Sequence, residues 1–95
     1  MTTIHRGETK FFVGEDIRDP QAEITFVQSG SNRLVIDHTY VAKELRSQGI
    51  AQQLLEQVVQ YARENDKYII PLCPFAKKQM QKNEAYHDVL QNQFI

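Results

Sequence analysis

Apolar positions along this chain follow two different periods, and the point where the period changes divides it. Residues 9–15 (TKFFVGE) form a short β-rich run, and residues 16–20 (DIRDP) supply turn chemistry after it. From residue 21 the chain alternates, with Ala22, Ile24 and Phe26 on one face and Glu23, Thr25 and Val27 on the other. The tetrapeptide SGSN at residues 29–32 is a hairpin-type connection. Residues 33–41 then resume a strand in which Leu34, Ile36, His38 and Tyr40 share one face, with Val35, Asp37, Thr39 and Val41 opposite. Strict alternation would thus put Asp37 and His38 on different faces, where both cannot serve one pocket.

From Ile50 the apolar positions fall at 50, 54, 58 and 62, broadened by Ala51, Leu55, Val59 and Tyr61. That is a helical period over about four turns, ending near Asn65 and Asp66. Residues 67–72 (KYIIPL) read as a compact apolar strand, and Pro71 places it at an edge or a strand end. Residues 75–82 and 84–90 read as two short helices. The fold class is therefore α+β: an antiparallel β-meander, a central helix, a further strand and short C-terminal helices, in one domain spanning residues 1–95.

Composition narrows the function. Eleven Lys and Arg against twelve Asp and Glu give a net charge of −1, without the basic excess that nucleic-acid binding usually needs. With 41% hydrophobic and 24% charged residues the chain is apolar enough to fold, yet no apolar run is long enough to span a bilayer. The first residues lack the apolar core of a signal peptide, and the one cysteine, Cys73, has no internal partner. These features fit a soluble, cytoplasmic protein. His5, His87 and Cys73 show no metal-ligand spacing, so no metal site is expected.

The junction between the third strand and the long helix, ELRSQGIAQQL at residues 44–54, is the most informative stretch. A helix start leaves backbone N–H groups without partners and carries positive potential. Gly49 and Ala51 are small enough for a phosphate to approach the backbone there, and Arg46 adds a charged donor. It is neither a Walker loop nor G-x-G-x-x-G, and by itself a glycine at such a turn is more often a steric device.

The wider context resembles the acyl-CoA-binding core of the GCN5-related N-acetyltransferases: a strand reading LVIDHTYV, then R-x-x-G-x-A, then an amphipathic helix and a strand. In that family Q/R-x-x-G-x-G/A holds the pyrophosphate of coenzyme A, and Arg46, Gly49 and Ala51 match it position by position. The segment IIPLCPF at residues 69–75 and the later Tyr86 are similar to a branch of small stand-alone domains marked by a cysteine after the post-helix strand. The resemblance implies a minimal fold of that family, acetyl-CoA as donor and an amine as acceptor. Ser47, Gln48, Gly49, Ile50 and Ala51 would offer backbone amides to the pyrophosphate beside Arg46, and Thr39, Tyr40 and Val41 would align the pantetheine arm.

Three residues are candidates for the chemistry. Cys73 would take the acyl group itself or only line the thioester pocket, since a cysteine at a strand end is commonly a small buried hydrophobe. His38 would be the general base for the incoming amine, because an imidazole exchanges protons near neutral pH. Tyr86 corresponds to the tyrosine that many members use to protonate the leaving thiolate, although the Gly-Phe pair that normally follows is missing. Members also carry two helices between their first two strands that wall the acceptor site. Here only residues 16–20 occupy that place, which implies an open amine site, or one completed by a second subunit or a protein acceptor. The competing readings are a CoA-binding module without turnover and a structural domain in which Gly49 is only a turn residue.

Overall fold

The computed structural model describes residues 3–90. Its strands are β1 (His5–Arg6), β2 (Lys10–Val13), β3 (Ala22–Ser29), β4 (Arg33–Val41) and β5 (Tyr68–Pro71). Its helices are α1 (Ile50–Glu64) and α2 (Pro74–Lys82), with short 3-10 turns at Lys43–Leu45 and Glu84–Tyr86. The strands form one sheet in chain order, antiparallel through β4, with β5 parallel to β4 across the α1 crossover. The meander, the long helix and the strand after it lie where the periodicity predicts them. The two-residue β1 was not foreseen. The helix expected over residues 84–90 is only the 3-10 turn, because the chain then swings back to the sheet: Ile69 N–H donates to the Val89 carbonyl at 2.7 Å, and Leu90 bridges to Ile69.

One face of the sheet carries the core. Ala22, Ile24 and Phe26 of β3, Leu34 and Ile36 of β4 and Ile69 of β5 pack against the apolar stripe of α1, formed by Ile50, Leu54, Leu55, Val58, Val59 and Ala62. Ala76 and Met80 of α2 join the same cluster, as do Tyr86 and Val89 beyond it. At the rim Arg6 lies over the Tyr61 ring at 4.3 Å and Tyr61 meets Phe26. None of the described helices is long and apolar enough to cross a membrane.

The register of β3 against β4 contains the feature that matters most for the site. Thr25 pairs with His38 and Phe26 with Ile36, so Asp37 is an extra residue on β4. A β-bulge of this kind breaks the alternation. Leu34 and Ile36 face the core as expected, but beyond Asp37 the parity reverses. Thr39 and Val41 lie on the helix side, opposite Ile24 and Ala22, and His38 and Tyr40 lie on the outer side with Thr25 and Glu23. This corrects the facing expected for residues 37–41. The Asp37 carboxylate accepts a hydrogen bond from the Thr25 hydroxyl at 2.6 Å, which places it on the outer face with His38 rather than opposite.

Two stability tests follow. Leu55 is fully buried between α1 and the sheet, so Leu55→Ala lowers unfolding stability by about 2–5 kcal/mol in urea titrations. Arg63 of α1 holds the C-terminal turn through Asp88 at 2.8 Å, and that hydrogen bond holds the Asp88 carboxyl below its ordinary value near 3.8. A carboxyl so depressed adds stability above its unfolded value and loses it as pH falls through the folded one. The pair is exposed, so Asp88→Asn costs no more than about 1 kcal/mol near neutral pH, and the difference between the two proteins disappears as pH falls through the folded-state value.

Candidate functional site

The site begins where two neighbouring strands part. β4 and β5 pair from Arg33 with Tyr68 as far as Ile36 with Pro71, and the Ile36 carbonyl then accepts from both Leu72 N–H and Cys73 N–H at 3.0 Å. Past that point β4 runs on through Val41 while the other chain turns into α2 at Pro74. Residues 37–41 therefore have no ladder partner on that side. Ala42 N–H donates to the Gln21 carbonyl, so alternation directs the backbone groups of His38 and Tyr40 toward β3 as well. Those of Thr39 and Val41 point into the gap.

At the far end of the gap stands the start of α1. Gly49 is its N-cap, in the left-handed region at φ 73°, and Ser47 two residues earlier is also left-handed at φ 77°. No side chain caps this end and no acidic residue lies in the first turn. The first turn bond runs from Gln53 N–H to the Gly49 carbonyl at 3.1 Å, so the N–H groups of Ile50, Ala51 and Gln52 precede it. They open on a hollow of about 250 Å³ lined by Val41, Leu45, Arg46, Ser47, Gly49, Ile50, Ala51, Gln52 and Phe75. A Cβ built on Gly49 would meet nothing within 4 Å. The glycine satisfies no packing requirement; it meets a backbone requirement and leaves an open cradle above the helix start. A pyrophosphate fits such a cradle of amides and positive dipole. Arg46 Nε donates to the Val41 carbonyl at 3.1 Å, across the mouth of the gap. Gln48 turns its side chain back to the Glu44 carbonyl and does not line the hollow.

Cys73 is the N-cap of α2 and only 7% exposed. Its Sγ lies 3.3 Å from the Thr39 hydroxyl, so two of the residues singled out in the sequence meet across the gap. Tyr86 is buried against α1: its hydroxyl accepts from Gln52 Nε2 at 2.5 Å and donates to Glu56 Oε2 at 3.1 Å. Burial pushes the Tyr86 phenol up, and the hydrogen bond to the Glu56 carboxylate adds to the rise. His38 stands apart on the outer face, its side chain 56% exposed and its Nε2 3.7 Å from Glu23 Oε2. Glu23 in turn pairs with Lys10 at 2.6 Å. On α2, Lys77, Lys78 and Lys82 ring a separate hollow of about 460 Å³ with Pro74 and Gln81. Among the described residues no His, Cys, Asp and Glu group could hold a metal ion.

Sequence reasoning missed Glu23, Gln52, Glu56 and Phe75, and it missed the Thr39 hydroxyl as the partner of Cys73. Each depends on cross-strand register or helix docking. Gln52 alone carried a signal, as the residue just inside the helix start.

The GCN5-related N-acetyl-transferase family model matches residues 10–89. The solution structure of a GCN5-like candidate N-acetyltransferase from Staphylococcus aureus is 42% identical, with a TM-score of 0.80 over 98% of this chain and 94% of that one. Nourseothricin acetyltransferase is 27% identical with a TM-score of 0.50, covering 61% of this chain and 35% of its own. A GNAT-family acetyltransferase from Staphylococcus aureus MU50 shares the fold at 16% identity, with a TM-score of 0.57 over 83% of this chain and 49% of that chain. No curated protein sequence matches. The parted strands, the uncapped helix start and a family match over nearly all the described residues lead to one conclusion: this chain belongs to the GCN5-related N-acetyltransferase family.

Proposed function

We propose that the chain transfers an acyl group, acetyl in the simplest case, from acetyl-CoA to an amine. The observation that carries this reading is the uncapped start of α1 opening onto a strand edge that has no partner. Backbone amides at Ser47, Gly49, Ile50, Ala51 and Gln52 hold the pyrophosphate, with Arg46 as a charged donor that exchanges the Val41 carbonyl for phosphate oxygens. The gap-facing backbone groups of Thr39 and Val41 align the pantetheine arm, whereas those of Tyr40 face β3 and are already engaged. When bound, acetyl-CoA supplies an acetyl group activated as a thioester. Family membership favours transfer over a module that only binds.

On the acceptor side His38 takes the proton from the amine, held by Glu23 behind it. Cys73 lines the thioester end: it is buried, and its partner is the Thr39 hydroxyl, not an imidazole or carboxylate that would draw off its proton. Tyr86 stays protonated through the neutral range, but its proton is directed at Glu56, so its role is to hold Gln52 against the hollow. The eight-residue span between β2 and β3, residues 14–21, leaves the acceptor side open.

Gly49→Ala separates packing from binding. With open space above it, the new methyl costs only the left-handed strain of about 1–2 kcal/mol in stability. Acetyl-CoA affinity measured by calorimetry drops at least about tenfold, because the methyl enters the cradle; unchanged affinity would remove the helix start from the site. His38→Ala lowers kcat by about 10²–10⁴ with acetyl-CoA affinity intact, and Cys73→Ser stays within about tenfold of the parent. If the two effects were exchanged, Cys73 would be the acyl carrier.

A further inference from the structure

The helices cover one face of the sheet; on the other, Phe12 of β2 is buried beside His5, and the part over β3, β4 and β5 is bare. Across it Val27, Val35 and Ile70 form a row over β3, β4 and β5, with Tyr68 next along β5. Val27 and Tyr68 are nearly half exposed, at 47% and 46%. Beyond the bulge the same face carries His38, and then Tyr40, 42% exposed. Tyr40 borders a hollow of about 280 Å³ whose wall includes the carboxylates of Asp19 and Glu44. Asp37 adds a further carboxylate beside His38; of the nearby cations Lys10 and Arg18 are paired with Glu23 and Asp16, whereas Lys43, next to Glu44, is exposed and forms no ion pair among the described residues.

Charge is therefore divided between the two sides of the gap. The helix side presents amides, Arg46 and the lysines of α2, suited to an anionic donor. The bare side presents unpaired carboxylates around an aromatic ring, suited to cations. His38 and Tyr40 are two residues apart on one strand face, about 7 Å. An extended peptide lying along β4 repeats that spacing between its own residues i and i+2. The apolar row past the bulge gives such a peptide further surface, for which a small polyamine has no use.

We propose that the bare sheet face docks an extended polypeptide segment, presenting a lysine to His38 and a second cationic side chain, two positions away, to the hollow formed by Tyr40, Asp19 and Glu44. This rests on the transfer reading above and names its acceptor class.

The test uses the full chain saturated with CoA and two short unstructured peptides, each with one lysine and either arginine or glutamate two positions from it, with spermidine as the small-molecule arm. Calorimetry should show the arginine peptide binding at least about tenfold tighter than the glutamate peptide and than spermidine. The double variant Asp19→Lys, Glu44→Lys, both at exposed positions, should abolish that preference while acetyl-CoA affinity stays unchanged, which also shows that it folds. Equal binding of the two peptides, an unaffected double variant, or tighter binding of spermidine would overturn the proposal. Release of CoA from acetyl-CoA is followed in parallel. Selective peptide binding without release to any amine keeps the docking face and sinks the transfer reading, whereas release to simple amines without peptide selectivity does the reverse.

Discussion

A parallel strand pair that stops pairing halfway is the constraint on which the rest of this structure depends. β4 and β5 share a ladder only to Ile36 and Pro71, and the bulge at Asp37 begins at once beyond it. Two residues of β4, Thr39 and Val41, thus turn backbone groups toward a side that has no strand to satisfy them, which leaves those groups open to a ligand. Around this edge the other parts are arranged: Cys73 on the side from which β5 departs, the bare start of α1 at the far end, and α2 as the outer wall.

The bulge also decides which side chains belong to which partner. Without it, His38 and Tyr40 would face the helix side and Thr39 the outer side. The additional residue exchanges them, giving the helix side a hydroxyl next to Cys73 and the outer side an imidazole next to Glu23. Strand β3 stays regular in its facing throughout, so the core it builds with α1 is untouched by the change.

Much of this was legible in the residues themselves. The switch from period two to 3.6 at Ile50 located α1, and the small residues at 49 and 51 marked its start, the end proposed to bind the donor. The bulge was not legible: LVIDHTYV contains no glycine or proline to mark it and alternates well enough to suggest a straight strand. Its cause lies in the partner's register, which one strand's sequence does not carry. The helix expected over residues 84–90 is only a 3-10 turn at Glu84–Tyr86, although Tyr86 and Val89 are both buried. Their burial comes from the docking of Tyr86 on α1 at Gln52 and Glu56 and from the return of the backbone to β5.

That return has a consequence for assembly. A five-stranded sheet has two edges on which further strands could grow. Here one edge is β1, a two-residue strand too short to template a ladder, and the other is β5, whose outward N–H at Ile69 is already taken by Val89. Apart from the gap beside residues 37–41, neither border offers a run of free backbone groups among the described residues. Copies of this molecule, or the partners it meets, are thereby directed away from edge-to-edge strand addition and toward side-chain contacts on its faces, where recognition rests on shape and charge rather than on the backbone that every protein shares.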